Sequence, residues 1–176
     1  MTAVQLSQEL TCAAVFREHA PYVWRVLRRL GVHEADIEDV CQEVFIVVHR
    51  RLATFEHRSS VRTWLHGICV RVASDHRRKR RTKPEADELT EQQAEVAPSQ
   101  VEALAEHEAR QLLDSLLDRL DDNKRAVFVL YEIEQVSMQE VADAVDCPLQ
   151  TAYSRLHAAR REIEAAIAEL HAGRTP

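Results

Sequence analysis

Glycine is scarce in this chain, three residues in 176, and proline is little commoner, at five. So few left-handed or kinked backbone positions leave little room for tight hairpins. No run alternates apolar and polar residues long enough to build a sheet. The chain therefore reads as all-α. No apolar run approaches the length that spans a bilayer. The N-terminus lacks the basic stretch and apolar core of a secretory leader. The expectation is a cytoplasmic protein with no membrane insertion. Cys12, Cys41, Cys69 and Cys147 form no CxxC and stand near no ligand-spaced histidine pair, so no metal site is expected. They read as small buried hydrophobes in a reducing compartment. A Gly-rich phosphate loop is missing, and no nucleophile, base and orienter occur at readable spacing. Enzymatic chemistry is thus not expected, nor any cofactor. His33, His49, His57, His66 and His76 are scattered and read as surface groups. Nothing repeats at a fixed period.

What the chain does have is uneven charge. Residues 58–83 carry nine basic side chains and one acidic, whereas residues 84–122 carry two basic and twelve acidic. The net charge of −6 hides this contrast. A basic block beside an acidic one is a stronger pointer to nucleic acid than the mean. The plainer reading of the block is a solvated helix end.

In chain order, Cys12, Ala13, Phe16, Val23, Leu27 and Leu30 indicate a helix or a broken pair, with Pro21 at a break or a new first turn and Gly31 at the end. Residues 34–55 give the clearest helix. Ile37, Val40, Cys41, Val44, Phe45, Val48 and Leu52 form its apolar stripe. On the opposite face Asp39, Gln42, Glu43 and Ile46 fall at i, i+3, i+4 and i+7. A solvated helix back explains the acids but not Ile46; a partner surface explains both, since interfaces favour an apolar centre with a polar rim. Residues 56–60 read as a loop. The next helix runs from Val61 to about Arg77, with Val61, Trp64, Leu65, Ile68 and Val72 inward. Arg62, His66 and Arg77 point away from that side, and Arg71 and Asp75 are spaced to pair. It leads into Arg77-Arg78-Lys79-Arg80-Arg81, which suits a nucleic-acid backbone. Residues 82–100 form an acidic, proline-bearing linker, either a plain tether or a strand that enters a basic channel in a partner. A leucine-rich helix over 104–120 follows, then one beginning at Asp121-Asp122 with Ala126, Val127, Leu130 and Ile133 inward.

The stretch 137–161 is the most informative. Ser137 and Glu140 have capping-box spacing. Met138, Val141, Ala142 and Val145 form one stripe, Asp146-Cys147-Pro148 breaks the helix, and Ala152, Leu156, Ala159 and Ile163 form a second stripe. Two short amphipathic helices across a tight turn make a helix-turn-helix. At 100° per residue Gln150, Tyr153, Ser154, His157 and Arg161 share the outward face of the second helix, which carries no acid and can enter a major groove. Arg155 lies nearer the packed side.

Three blocks together resemble the extracytoplasmic-function sigma factors, the smallest class of bacterial RNA polymerase initiation factors. They are Asp36-Ile37-Glu38-Asp39-Val40-Cys41-Gln42-Glu43-Val44-Phe45; Phe55 through Arg62-Thr63-Trp64-Leu65 to Asp75-His76-Arg77-Arg78; and the helix-turn-helix. The resemblance implies two small helical domains joined by an acidic linker: a region 2-like domain over 12–82, a linker over 83–103 and a region 4-like domain over 104–171. It implies core RNA polymerase, promoter DNA and an anti-sigma factor as partners. Asp39, Gln42, Glu43 and Ile46 would meet the polymerase clamp. His57, Arg58, Ser59, Ser60, Arg62, Trp64, Arg71, Arg77, Arg78, Arg80 and Arg81 would serve the minus-ten element, the loop capturing a flipped base. Gln150, Thr151, Tyr153, Ser154, His157 and Arg161 would serve the minus-thirty-five element. The chain departs from many relatives at Arg71, where they carry asparagine, and at Tyr153, where they carry a cation. A helix-turn-helix regulator that never engages polymerase is the alternative; it leaves the 39–46 patch and the acidic linker without a role.

Overall fold

A computed structural model describes residues 11–56, 59–82 and 100–172, with side chains from 107 onward in the last stretch. Seven α-helices occur among the described residues: α1 (Cys12–Arg29), α2 (Ile37–Arg51), α3 (Val61–Thr82), α4 (Gln100–Leu117), α5 (Asp122–Phe128), α6 (Met138–Ala144) and α7 (Leu149–Ala172). The described residues contain no strand. The fold is all-α. Most of the linker expected at 83–103 lies outside the described residues, and α4 begins at Gln100.

Helix α1 is one continuous helix rather than a broken pair, with Pro21 inside it. Thr11 starts it by accepting a hydrogen bond from the Ala14 amide. Gly31 ends it at φ +87°. A second constraint holds there: a Cβ on Gly31 would lie 2.6 Å from an Arg77 nitrogen and 2.8 Å from one of Arg125. These guanidiniums donate to the carbonyls of Leu30 and Arg29 respectively, at 3.0 and 2.7 Å. The carbonyl end of α1, buried at Leu30, is thus capped by two cations, as its dipole favours.

The first unit packs α1, α2 and α3 around Val23, Val26, Leu27, Val40, Val44, Val48, Leu65 and Cys69. The second packs α5, α6 and α7 around Val127, Leu130, Met138, Val141, Ala152 and Leu156. The two are not separate beads. Leu117, Leu120, Ala126, Val129 and Ala159 of the second unit belong to the first unit's core cluster. Helix α3 also packs on α6, close enough that a Cβ on Gly67 would stand 3.6 Å from the Ala144 carbonyl.

Helix α3 therefore has two packed faces, and two expectations change. His66 is not a surface group: it is 2 % exposed and shares a buried hydrogen bond with the Tyr22 hydroxyl. Arg77 does not point to solvent; it is half-buried against α1 and α5. The helix also continues past Arg77 to Thr82, taking the whole basic run with it. Asp75 pairs with Arg78 at 2.8 Å rather than with Arg71. After α5 the chain widens into a π-helical turn over Val129–Ile133, which delivers Glu134 to the boundary between the units.

Candidate nucleic-acid interface

Helix α2 separates its faces cleanly. Val40, Val44 and Val48 are fully buried, while Asp39, Gln42, Glu43 and Ile46 are all exposed. Ile46 stands 48 % open at the C-terminal edge of the acidic patch, one turn before the exposed His49 and Arg50. The outward side of this helix is not packed into the molecule.

The loop before α3 is described in part; His57 and Arg58 lie outside the described residues. Ser59 is exposed. Ser60 caps α3, its Oγ accepting from the Thr63 amide at 3.0 Å. Trp64 is half-buried, with its ring 4.9 Å from that of Phe55. Both are presented beside the loop rather than sealed in the core.

Along α3 the arginines divide into three groups. Arg71 and Arg78 are exposed, and Arg78 pairs with Asp75 of its own helix. Arg80 meets Asp36 at 2.7 Å, alongside His76 at 3.2 Å. Arg62, Arg77 and Arg81 face the second unit. Arg62 lies over the Tyr22 ring at 4.1 Å and reaches Glu134 at 3.2 Å. Arg77 and Arg81 both reach Asp122, at 3.1 and 3.0 Å. Burial lowers the Arg77 guanidinium from its ordinary value, against the opposing pull of Asp122. Thr63 adds a neutral link, donating to Glu140 at 2.8 Å.

Behind this contact sits a buried pair. Burial pushes the Tyr22 phenol up to about 12, and Arg62 partly offsets it. Burial first, and then the Arg62 charge, pull the His66 imidazole down to about 4. Both groups are neutral near neutrality.

The helix-turn-helix is built as its residues dictate. Ser137 caps α6, accepting from the Glu140 amide and donating to the Glu140 carboxylate at 2.7 Å. That bond, then the one from Thr63, holds the Glu140 carboxyl below its usual range. Asp146 takes φ +51° to turn the chain out of α6. The Cys147 amide closes the turn on the Ala142 carbonyl at 3.0 Å. On α7, Ala152, Leu156 and Ala159 are buried and Gln150, Tyr153, Ser154, His157 and Arg161 are exposed. Thr151 is half-buried on the flank. Arg155 is half-buried too, with one guanidinium nitrogen buried and unpartnered. Over residues 150–161 the outward face is a row of exposed polar groups with no carboxylate; Glu164 follows on the same face one turn later.

Sequence reasoning missed Tyr22, Arg25, Arg29, Arg125 and Glu134. Each acts across 40 residues or more, and no local periodicity signals such a pairing.

Two family models match the chain, Sigma-70 region 2 over residues 15–83 and Sigma-70 region 4 over residues 110–170. The RNA polymerase sigma-H factor of Pseudomonas aeruginosa is 30 % identical over 149 residues, covering 79 % of this chain and 77 % of that one. The ECF RNA polymerase sigma-E factor of Haemophilus influenzae is 31 % identical over 143 residues, covering 76 % and 75 %. Among solved structures, the sigma factor RpoE bound to the anti-sigma factor NepR from Bartonella quintana superposes with a TM-score of 0.67. It is 19 % identical, with 89 % of this chain and 96 % of that one covered. Both region models match in order, and the helices they cover are those that carry the acidic patch, the basic run and the helix-turn-helix: the chain belongs to the extracytoplasmic-function sigma factors of RNA polymerase, a family of transcription initiation factors.

Proposed function

We propose that the chain works as two promoter-reading units, 12–82 and 104–171, joined by the segment 83–103. The first unit docks on the clamp of core RNA polymerase through Asp39, Gln42, Glu43 and Ile46. The loop with His57, Arg58, Ser59 and Ser60, together with Trp64, Arg71, Arg78 and Arg80 of α3, engages the minus-ten element; Arg62 and Arg81 reach it only when the units part, and Arg77, expected there from the sequence, stays on the Leu30 carbonyl. The loop receives an unstacked base, whose extrusion costs a few kcal/mol. The α7 face, Gln150, Thr151, Tyr153, Ser154, His157 and Arg161, reads the minus-thirty-five element in the major groove. The chain makes and breaks no covalent bond; the chemistry belongs to the polymerase. It acts in the cytoplasm, at the nucleoid when bound to polymerase. An anti-sigma factor holds it inactive, a reading supported by the RpoE relative solved with such a partner.

The observation that carries this reading is the acidic patch of α2 bordered by a half-open Ile46, a surface with no role inside the fold. Its test is a pull-down with core polymerase followed by run-off transcription on genomic fragments. The Asp39→Arg variant should lose polymerase and transcription together while its helical content and melting stay unchanged. Retention of both would overturn the docking assignment. Failure of the wild-type chain to bind polymerase at all would favour a regulator that acts on DNA alone.

A further inference from the structure

Three cations converge on one carboxylate where the two units meet. Glu134 leaves the π-helical turn with its side chain only 2 % exposed. One carboxylate oxygen accepts from Arg29 and has the Arg25 Nε at 3.9 Å; the other accepts from Arg62 at 3.2 Å. Arg25 and Arg62 also flank the Tyr22 ring, at 5.2 and 4.1 Å. A single carboxylate needs fewer charges than these. All three arginines stand on the first unit, and Glu134 is supplied by the second. The ring is therefore a site of the first unit that holds an anion of the second. Planar guanidiniums grouped around an acceptor suit phosphate oxygens as well as carboxylate oxygens. The neighbouring contacts follow the same pattern, with Arg77 and Arg81 on Asp122.

We propose that Arg25, Arg29 and Arg62 form an anion site on the α1–α3 unit that takes a nucleic-acid backbone phosphate, and that Glu134 fills it by mimicry while the two units are closed on each other. The inference rests on the reading of α3 as a DNA-binding helix. Arg25 and Arg29 extend that surface onto α1, outside the residues that the motif marks. Glu134 and the phosphate compete for the same donors. Parting of the units and DNA binding are thus linked, and the apparent affinity is scaled by the open fraction.

The test uses the full chain, a fluorescein-labelled forked DNA and small-angle scattering. Glu134→Gln removes the charge with little change of shape, and Glu134→Lys reverses it. Both should enlarge the radius of gyration. Glu134→Gln should tighten DNA binding about tenfold, the factor for a closed form holding about nine molecules in ten. In the Glu134→Gln background, Arg29→Ala should weaken binding several-fold for any sequence and lower the salt slope by about one. Circular dichroism confirms that each variant is folded. Unchanged affinity in both Glu134 variants overturns the mimicry, and an unchanged salt slope on Arg29→Ala overturns the phosphate site. Arg78→Ala, on the exposed side of α3, separates this failure from that of the parent reading. Loss at Arg78 without loss at Arg29 overturns the anion site alone; no loss at either overturns both.

Discussion

His66 shows how one residue's surroundings set a measurable property of the whole chain. Its ring is 2 % exposed, its Nε2 is held by Tyr22, and its Nδ1 has no partner. Charges face it from two directions: Arg62 of its own helix disfavours the imidazolium, while Glu134 and Glu140 of the second unit favour it less strongly than burial opposes it. Folded His66 therefore stays neutral down to about pH 4, whereas an unfolded imidazole takes its proton near the ordinary value of 6.5. Between those values the unfolded state binds more protons, so stability falls as pH drops through the window. The gap between the two values amounts to at most about 3 kcal/mol. Melting temperatures compared at about pH 7 and about pH 5 should fall further for the wild type than for His66→Gln, which keeps a neutral hydrogen-bonding group. Equal falls would show that the carboxylates alone govern the acid limb.

The element scale explains what could be read in advance. Helices α2, α6 and α7 each bury one face, so periodicity locates both their inner stripes and their outer patches. The Ser137–Glu140 spacing likewise marks a cap that forms. Helix α3 defeats the same method because it is packed on two sides, against α1 and α2 and against α6. Polar residues on its second face, His66 and Arg77, look like surface residues until α6 and α5 are placed. The ring around Glu134 was illegible for a related reason: it joins α1, α3 and the turn after α5, and distance along the chain conceals it. Two outcomes belong to single helices. Ser137→Ala removes the N-cap of a seven-residue helix and should cost about 1 kcal/mol, read as a lower denaturant midpoint. Tyr153→Arg on the open face of α7 should change which minus-thirty-five sequences support run-off transcription, with polymerase binding unaltered. An unchanged preference would remove Tyr153 from the reading face.

For the whole molecule, the decisive feature is that two units share one apolar cluster and one capped helix end. Arg125 ties them together. It is 2 % exposed, its Nε donates to the Arg29 carbonyl at 2.7 Å, and its terminal nitrogen holds Asp118 at 2.6 Å. Gly31 leaves the space in which it lies. While this contact persists, unfolding one unit exposes Leu117, Leu120 and Val129, which pack with the other unit's core, so the described helices should melt as a single cooperative step. Arg125→Ala leaves the Arg29 carbonyl without its charged donor, at about 1.5–3 kcal/mol for a bond of this kind. That loss falls on the joint rather than on either core. Calorimetry of the variant should accordingly resolve two transitions, one for α1–α3 and one for α4–α7, with the earlier one below the wild-type midpoint. Arg125→Lys, which keeps the charge but not the planar fork, should fall between the two behaviours. One transition at the wild-type temperature in Arg125→Ala would mean that the shared apolar cluster holds the units together without this arginine, and that opening for promoter DNA must be driven against hydrophobic contact rather than against charge.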